Sequence, residues 1–418
     1  MPRRYVCLVV VVLLGACASP DRSPVMPSTN VVYYDLVQGG HPHVMYAPSS
    51  NRHAALPAGG PSSLDLVLHN GPVATQFATT AIYWGPQWGT NPFTGDKETG
   101  ITSLLQGLNG SNFLTHLLEY YTFGLPTTDM TRTLTYQQSF TDHSTPPSGD
   151  LTNSPGTVGA EVCNVLSANH VTPGTAFYLV YSTTPVPGTV CGWHHFGSCG
   201  STPIEYAYML NMDNSPCASL VPQVGGHSIG LSGLANTTAH ELAEMMTDPD
   251  ASAWYAPSLG ASGEISDLCG FTFHATSTTL SNGAVFGLQD LWSNEANDAG
   301  YGFAGPDGGQ GCQPAPPSSH VVAWISGGPD PFQATLRQYC TWTASAASGT
   351  APYTYAWRAS GSNLLYTTGS GPTFIENSFS PVNYTLTLTV TDAHGQQYSL
   401  TRTVEVVSFP VGFCSTNP

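Results

Sequence analysis

The chain has 418 residues, a formal net charge of −17, and nine lysines and arginines against 26 acids. That balance leaves no basic footprint for nucleic acid and none for adsorption to anionic lipid. Only 8% of residues are charged, with 44 glycines and 34 prolines, so a loop-rich exported protein of two domains is expected.

Residues 1–17 read as an export signal: Arg3 and Arg4, an apolar run, then Leu14-Gly15-Ala16-Cys17. The run is too short and too terminal for a spanning helix. The final tetrapeptide resembles a bacterial lipobox. That resemblance implies cleavage before Cys17, lipid on Cys17, and a membrane contact made only through that anchor at the cell envelope or outer surface. An ordinary secretory signal is the alternative. Residues 18–62, rich in Pro, Ser and Gly, read as a tether with one early strand at 30–36.

Residues 64–71 read as a strand ending in an Asn70-Gly71 turn, and 79–84 as another. In 98–121, Leu104, Leu105, Leu108, Phe113, Leu114, Leu117, Leu118 and Tyr121 recur at helical spacing, broken near Gly107 and Gly110. Strands are expected at 133–140, 176–183 and 204–211, and a short helix at 158–166. Between them, Cys191-Gly192-Trp193-His194-His195-Phe196-Gly197-Ser198-Cys199 reads as a disulfide-closed loop with exposed imidazoles, or as the source of a metal ligand. Eight cysteines follow the signal, which in an exported chain suggests disulfides. Cys191–Cys199 and Cys269–Cys312 are the pairings suggested, although spacing does not fix connectivity.

The segment Asn236 to Asp248 reads as one short helix, with Thr238 and Glu241 as a capping box and Pro249 as its stop. His240 and Glu244, four apart, share a face, and Glu241 stands beside them. This resembles the His-Glu-x-x-His helix of zinc peptidases, with Glu244 in place of the second histidine. Glu264 follows Glu244 by 20 residues, with Asp267 just after it. This spacing is similar to that of glutamate-type zincins. The resemblance implies His240, Glu244 and Glu264 as metal ligands, Asp267 as the group orienting His240, and Glu241 as general base. Tyr255, or His227, is the expected oxyanion stabiliser, from chain proximity alone. The ion is expected to be Zn2+. Two carboxylates and one imidazole would neutralise it, so Mn2+ or Ca2+ are the alternatives.

Leu66-Val67-Leu68-His69-Asn70-Gly71-Pro72-Val73, Ile82-Tyr83-Trp84-Gly85, Cys191-Gly192-Trp193-His194, Ala239-His240-Glu241-Leu242-Ala243-Glu244, Ala253-Trp254-Tyr255 and Glu264-Ile265-Ser266-Asp267-Leu268-Cys269 occur in that order. Together they resemble the Exordium family of phosphate-induced proteins, which implies an extracellular address more firmly than a reaction. After a Gly- and Pro-rich linker come short alternating strands. Those around Tyr353-Thr354-Tyr355-Ala356-Trp357 and 384–395 resemble PKD or related immunoglobulin-like modules, with Trp357 as a core plug.

The expected architecture is therefore an α+β zincin-like N-terminal domain followed by an all-β immunoglobulin-like (PKD-type) sandwich. The boundaries are 1–17 signal, 18–62 tether, 63–312 metallopeptidase-like domain, 313–319 linker, 320–408 sandwich and 409–418 tail. The expected function is a metal-dependent hydrolase acting on peptide or protein. The rivals are a non-enzymatic adhesive or glycan-binding surface protein with at most a structural metal, and a metal-independent hydrolase of cell-wall glycan.

Overall fold

The computed structural model describes residues 42–47, 64–69, 71–74, 76–120, 133–260, 263–299, 302–316, 321–326 and 332–418. The chain divides into units 1–36 and 37–418, and every described residue lies in the second. The expected signal, the lipidated Cys17 and the strand at 30–36 fall outside the described residues.

Strands β1 (His43–Tyr46), β2 (Val67–Leu68) and β3 (Gln76–Trp84) are followed by helix α1 (Lys97–Leu108). A 3-10 helix (Asn112–Glu119) comes next, so the break expected near Gly107 and Gly110 is where α1 ends. Then come β4 (Thr133–Asp142), α2 (Pro155–Ala168), β5 (Ala176–Pro185), β6 (Val190–Cys199), β7 (Thr202–Asn211), α3 (Pro216–Ser219) and α4 (Ile229–Thr247). One six-stranded sheet, in the order β1-β6-β7-β5-β3-β4, organises this part. Its β7, β5, β3 and β4 run parallel, while the β6–β7 hairpin and the β1 edge are antiparallel.

Side-chain alternation divides the sheet's residues between two cores. Phe77, Ala81, Tyr83, Phe177, Leu179, Tyr181, Ala207 and Met209 join the residues of α1 and α4. Ile82, Trp84, Tyr178, Val180, Trp193, Tyr206 and Tyr208 join Val158, Val162, Val165 and Leu166 of α2. With both faces covered, β3, β5 and β7 carry long apolar runs, which is why they are legible in the sequence.

Helix α4 runs across the first face and is longer than the expected helix. Its N-cap is Ser228, whose Oγ accepts from Leu231 N at 3.1 Å and donates to Asp96 Oδ1 at 2.6 Å. Thr238 therefore sits in mid-helix, donating to the Tyr181 hydroxyl at 3.2 Å, and forms no capping box. Every residue from Gly230 to Thr247 is buried. A helix buried all round shows no apolar stripe, so periodicity located only its second half.

The Cys191–Cys199 segment is strand β6, not a loop. Its cysteines bond outward instead of to each other: Cys191 to Cys217 and Cys163 to Cys199. An extended ten-residue strand holds its ends too far apart for a bridge. Cys269–Cys312 and Cys340–Cys414 complete the four disulfides.

Beyond α4 come β8 (Trp254–Tyr255), β9 (Thr278–Thr279), β10 (Val285–Phe286), β11 (Leu291–Trp292), α5 (Asn294–Ala299) and β12 (Cys312–Gln313). These strands form two-residue pairings: β2 with β8, β9 with β10, and β11 with β12. The last part holds β13 (Val322–Ser326), β14 (Gln333–Thr335), β15 (Tyr339–Ala347), β16 (Thr354–Ser360), β17 (Thr368–Ser370), β18 (Thr373–Asn377), β19 (Tyr384–Thr391), β20 (Gln397–Val407) and β21 (Cys414–Ser415). They enclose a core around Trp342, Trp357 and Leu388. Trp357 is 2% exposed, and its Nε1 donates to Gly371 O at 2.9 Å.

This arrangement corrects the expected fold class. Strand outweighs helix, 36% against 20%, and is spread over six sheets among the described residues. The molecule is not an α+β zincin domain followed by an immunoglobulin sandwich. The α+β expectation rested on the likeness of the His240-Glu241-x-x-Glu244 segment to zinc-peptidase helices, and that one helix does not carry the rest of such a fold with it. Nor are the C-terminal strands free of the preceding part: Ser348 Oγ lies 3.1 Å from Asn112 Oδ1, and Arg402 pairs with Glu295 at 3.9 Å.

Candidate metal centre

Four separate stretches converge on α4. Strand β1 supplies His43, and β6 supplies His194. Helix α4 supplies His240, Glu241 and Glu244. The segment after β8 supplies Glu264 and Asp267, and Gln289 lies beside them. Residues 43–46, read in the sequence as tether, form the edge strand that brings His43 into the cluster.

The approach of helix to sheet depends on Gly192. A Cβ there would stand 2.6 Å from Thr237 Cγ2 and 3.3 Å from Glu241 Oε1. Glycine lets α4 settle onto β6 at the point where His194, two residues on and on the same face, meets the helix.

The polar contacts form a chain. His194 Nδ1 lies 3.1 Å from Glu241 Oε2 and 3.5 Å from Glu244 Oε2, and its Nε2 faces Glu264 Oε1 at 3.9 Å. His43 Nδ1 bonds Glu264 Oε2, and the His43 ring stacks on His194 with centroids 4.7 Å apart. His240 Nε2 lies 3.1 Å from Glu244 Oε1 and 3.6 Å from Asp267 Oδ1. On the other side of its ring, His240 Nδ1 meets Gln289 Oε1 at 3.2 Å. Gln289 is itself fixed by donating Nε2 to Ser266 O at 2.7 Å.

Asp267 therefore does not orient His240 from behind, as the resemblance implied. It shares the Nε2 side with Glu244, and Gln289 holds Nδ1. Tyr255 stacks on His69, centroids 3.6 Å apart, in the β2–β8 pairing, and nothing in these contacts brings it to Glu241. His227 stacks on Phe286 and bonds Val285 O, so it too serves another part of the fold.

Most of the cluster is buried, and Asp267, its side chain 14% exposed, forms the partly open edge. His194, His240 and Glu244 are 1% exposed, and Glu241 and Glu264 are 0% exposed. Yet His194 Nε2, His240 Nε2, Glu241 Oε1, Glu244 Oε1 and Glu264 Oε1 are buried without a hydrogen-bond partner. His240 Nε2 and Glu244 Oε1 are close but not aligned as a bonded pair. Buried polar atoms left unpaired cost about 1–3 kcal/mol each, more when charged. Five in one place need a counterpart, and a cation suits donors of this kind. Among the described residues, three donor groups each keep their ligand atoms within 4.8 Å of one another: His43/His194/Glu264, His194/Glu241/Glu244 and His240/Glu244/Asp267.

The electrostatics follow from burial and like charge. Burial, then the carboxylates of Glu244, Asp248 and Asp267, push Glu264 well above the usual carboxylate range. Burial lifts Asp267 to about 7, with Glu244 adding to it. Burial opposes the charge on His194, but its bonds to Glu241 and Glu244 prevail and hold it up to about 9. Burial also opposes the charge on Glu244, which His240 and His194 nevertheless draw down to about 2. His43, buried and beside His194, is lowered to about 3. A divalent ion among these groups would take over the role of the shared protons.

His43 and His194 were not assigned as ligands from the sequence. For His194 the adjacent Cys191-Gly192-Trp193 was a usable signal. For His43 nothing local distinguishes the residue.

No family model matches the chain. The Exordium-like 3 protein of Arabidopsis thaliana is 31% identical over 126 residues, which is 24% of this chain and 36% of the relative. The chain thus spans about a third of the length of the curated relative it matches, and over that stretch the two are similar. Among solved structures, wild-type OgpA from Akkermansia muciniphila is 12% identical, covering 80% of this chain and 94% of its own, with a TM-score of 0.25. Its catalytically inactive form in complex with an O-glycopeptide gives the same coverage and a TM-score of 0.23. An extracellular domain from B. thetaiotaomicron covers 25% of this chain and 18% of its own at a TM-score of 0.16. Scores this low carry no chemistry across. Four disulfides make the protein non-cytoplasmic, and no helix among the described residues is long and apolar enough to cross a membrane.

Proposed function

We propose that this is an exported, Exordium-like protein built around a buried divalent-metal centre, and that the metal holds the body together. The observation carrying this reading is the set of five partnerless buried donor atoms on β6, α4 and the Glu264 segment. Nitrogen and carboxylate oxygen donors without sulfur suit Zn2+ or Mn2+. The burial of His194, His240, Glu241, Glu244 and Glu264 favours a structural ion, since catalytic sites keep a position open, and the Asp267 edge is partly exposed. On this reading the protein is a surface or secreted body with an adhesive or glycan-binding role. We infer that Cys17 carries the lipid that tethers it to the cell envelope.

The second reading is a metal-dependent hydrolase of peptide bonds. The presence of Glu241 in the His240-Glu241-x-x-Glu244 helix favours it, because a bound ion would supply Lewis acidity next to a carboxylate able to move a proton. Glu241 is, however, 0% exposed and tied to His194.

Metal analysis and thermal melts of the purified protein, before and after chelation, test the first reading. Bound metal and a fall in melting temperature reversed by Zn2+ or Mn2+ are expected; a chain that carries none overturns it. Peptidase activity lost in Glu241→Gln, with the metal retained, would move the assignment to the hydrolase.

A further inference from the structure

Resting on the reading of a metal centre, we propose that the cluster takes two divalent cations, one on each of two separate donor groups. Two of its donor groups share no residue: His43/His194/Glu264 and His240/Glu244/Asp267. They come from different elements, the first from strands β1 and β6 and the second from α4, each completed by an acid of the Glu264–Asp267 segment.

Glu244 faces both. Its Oε1 lies 3.1 Å from His240 Nε2, and its Oε2 lies 3.5 Å from His194 Nδ1.

The two histidines are prepared alike. Gln289 Oε1 holds His240 Nδ1 at 3.2 Å, and Glu241 Oε2 holds His194 Nδ1 at 3.1 Å. In each case Nε2 is left buried without a partner, facing a carboxylate oxygen that also lacks one: Glu244 Oε1 for His240 and Glu264 Oε1 for His194. A metal-ligating imidazole has this form, its far nitrogen fixed by a carboxylate or amide. Glu241 is on this account a positioning residue for His194.

The test loads metal-free full-length chain with Mn2+, then measures bound ion and the electron paramagnetic resonance spectrum. Wild type should retain about two equivalents per chain, with a spectrum broadened by the interaction of two nearby ions. His43→Ala and His240→Ala should each retain about half the wild-type metal and give the signal of an isolated ion. A wild type that binds a single equivalent with an isolated signal overturns the pair and leaves a one-ion centre standing. A wild type that binds none overturns both. Circular dichroism identifies a variant that fails to fold, in which case the wild-type stoichiometry and spectrum decide.

Discussion

Glu241 Oε2 lies 3.1 Å from His194 Nδ1, so the carboxylate that motif logic would free for proton transfer is bound to the neighbouring strand. Glu241→Ala should weaken metal binding about 10–100-fold, the usual cost of removing a group that orients a ligand. Glu241→Gln keeps an acceptor for Nδ1 and should bind metal within a few-fold of wild type. Competition against a chromogenic chelator measures both. Equal affinity for all three proteins would mean that Glu241 does not position His194.

Adjacent histidines on β6 face opposite ways. His194 enters the cluster, while His195 packs its ring edge-on to Tyr206 on the other side of the sheet. His194→Ala should lose bound metal, and His195→Ala should keep it. Metal content measured side by side checks this, and equal loss would point to general damage to β6.

Gly192→Ala adds one methyl group where α4 rests on the sheet, 2.6 Å from Thr237 Cγ2. Overpacking of this kind costs about 1–3 kcal/mol. The expected outcome is a lower melting temperature together with weaker metal binding, because the helix bearing His240 and Glu244 must lift. A melt indistinguishable from wild type would show that the contact can relax.

Away from the cluster, the buried Glu161 pairs with the partly exposed Asp142. Burial, then a hydrogen bond to Asp142, raises Glu161 to about 8, while the same bond lowers Asp142. Since the folded value of Glu161 exceeds its ordinary 4.5, its stabilising contribution is complete below that pH and is lost as pH rises through about 8. The Asp142 contribution changes only below its ordinary 3.8, outside this window. Wild type should therefore lose more stability between pH 5 and 8 than Glu161→Gln does, at fixed metal. Parallel melting curves for the two proteins would contradict the assignment.

Residue spacing marked much of the site and part of the fold. The shared face of His240 and Glu244 follows from the 3.6-residue turn, and Glu264 was implied by the resemblance to glutamate-type zincins. Strands β3, β5 and β7 are apolar runs bounded by turn residues. The Cys269–Cys312 pairing was also suggested before the structure. By contrast, the first turns of α4, rich in small residues, carry no stripe because both sides are buried. The disulfide partners of Cys191 and Cys199 depend on where β6 and its neighbours lie, which no spacing encodes.

What the amino-acid order determined alone was local: an exported, acidic, cysteine-paired chain with a histidine and glutamates stacked on one helix face. Only the tertiary structure brought in His43, nearly two hundred residues from α4, turned His194 inward, exchanged Asp267 for Gln289 behind His240, and spread the strands over six sheets. The physical reason is range. Helical periodicity and turn chemistry act over a few residues, whereas a buried donor cluster is assembled by sheet pairing and close packing between stretches far apart in sequence.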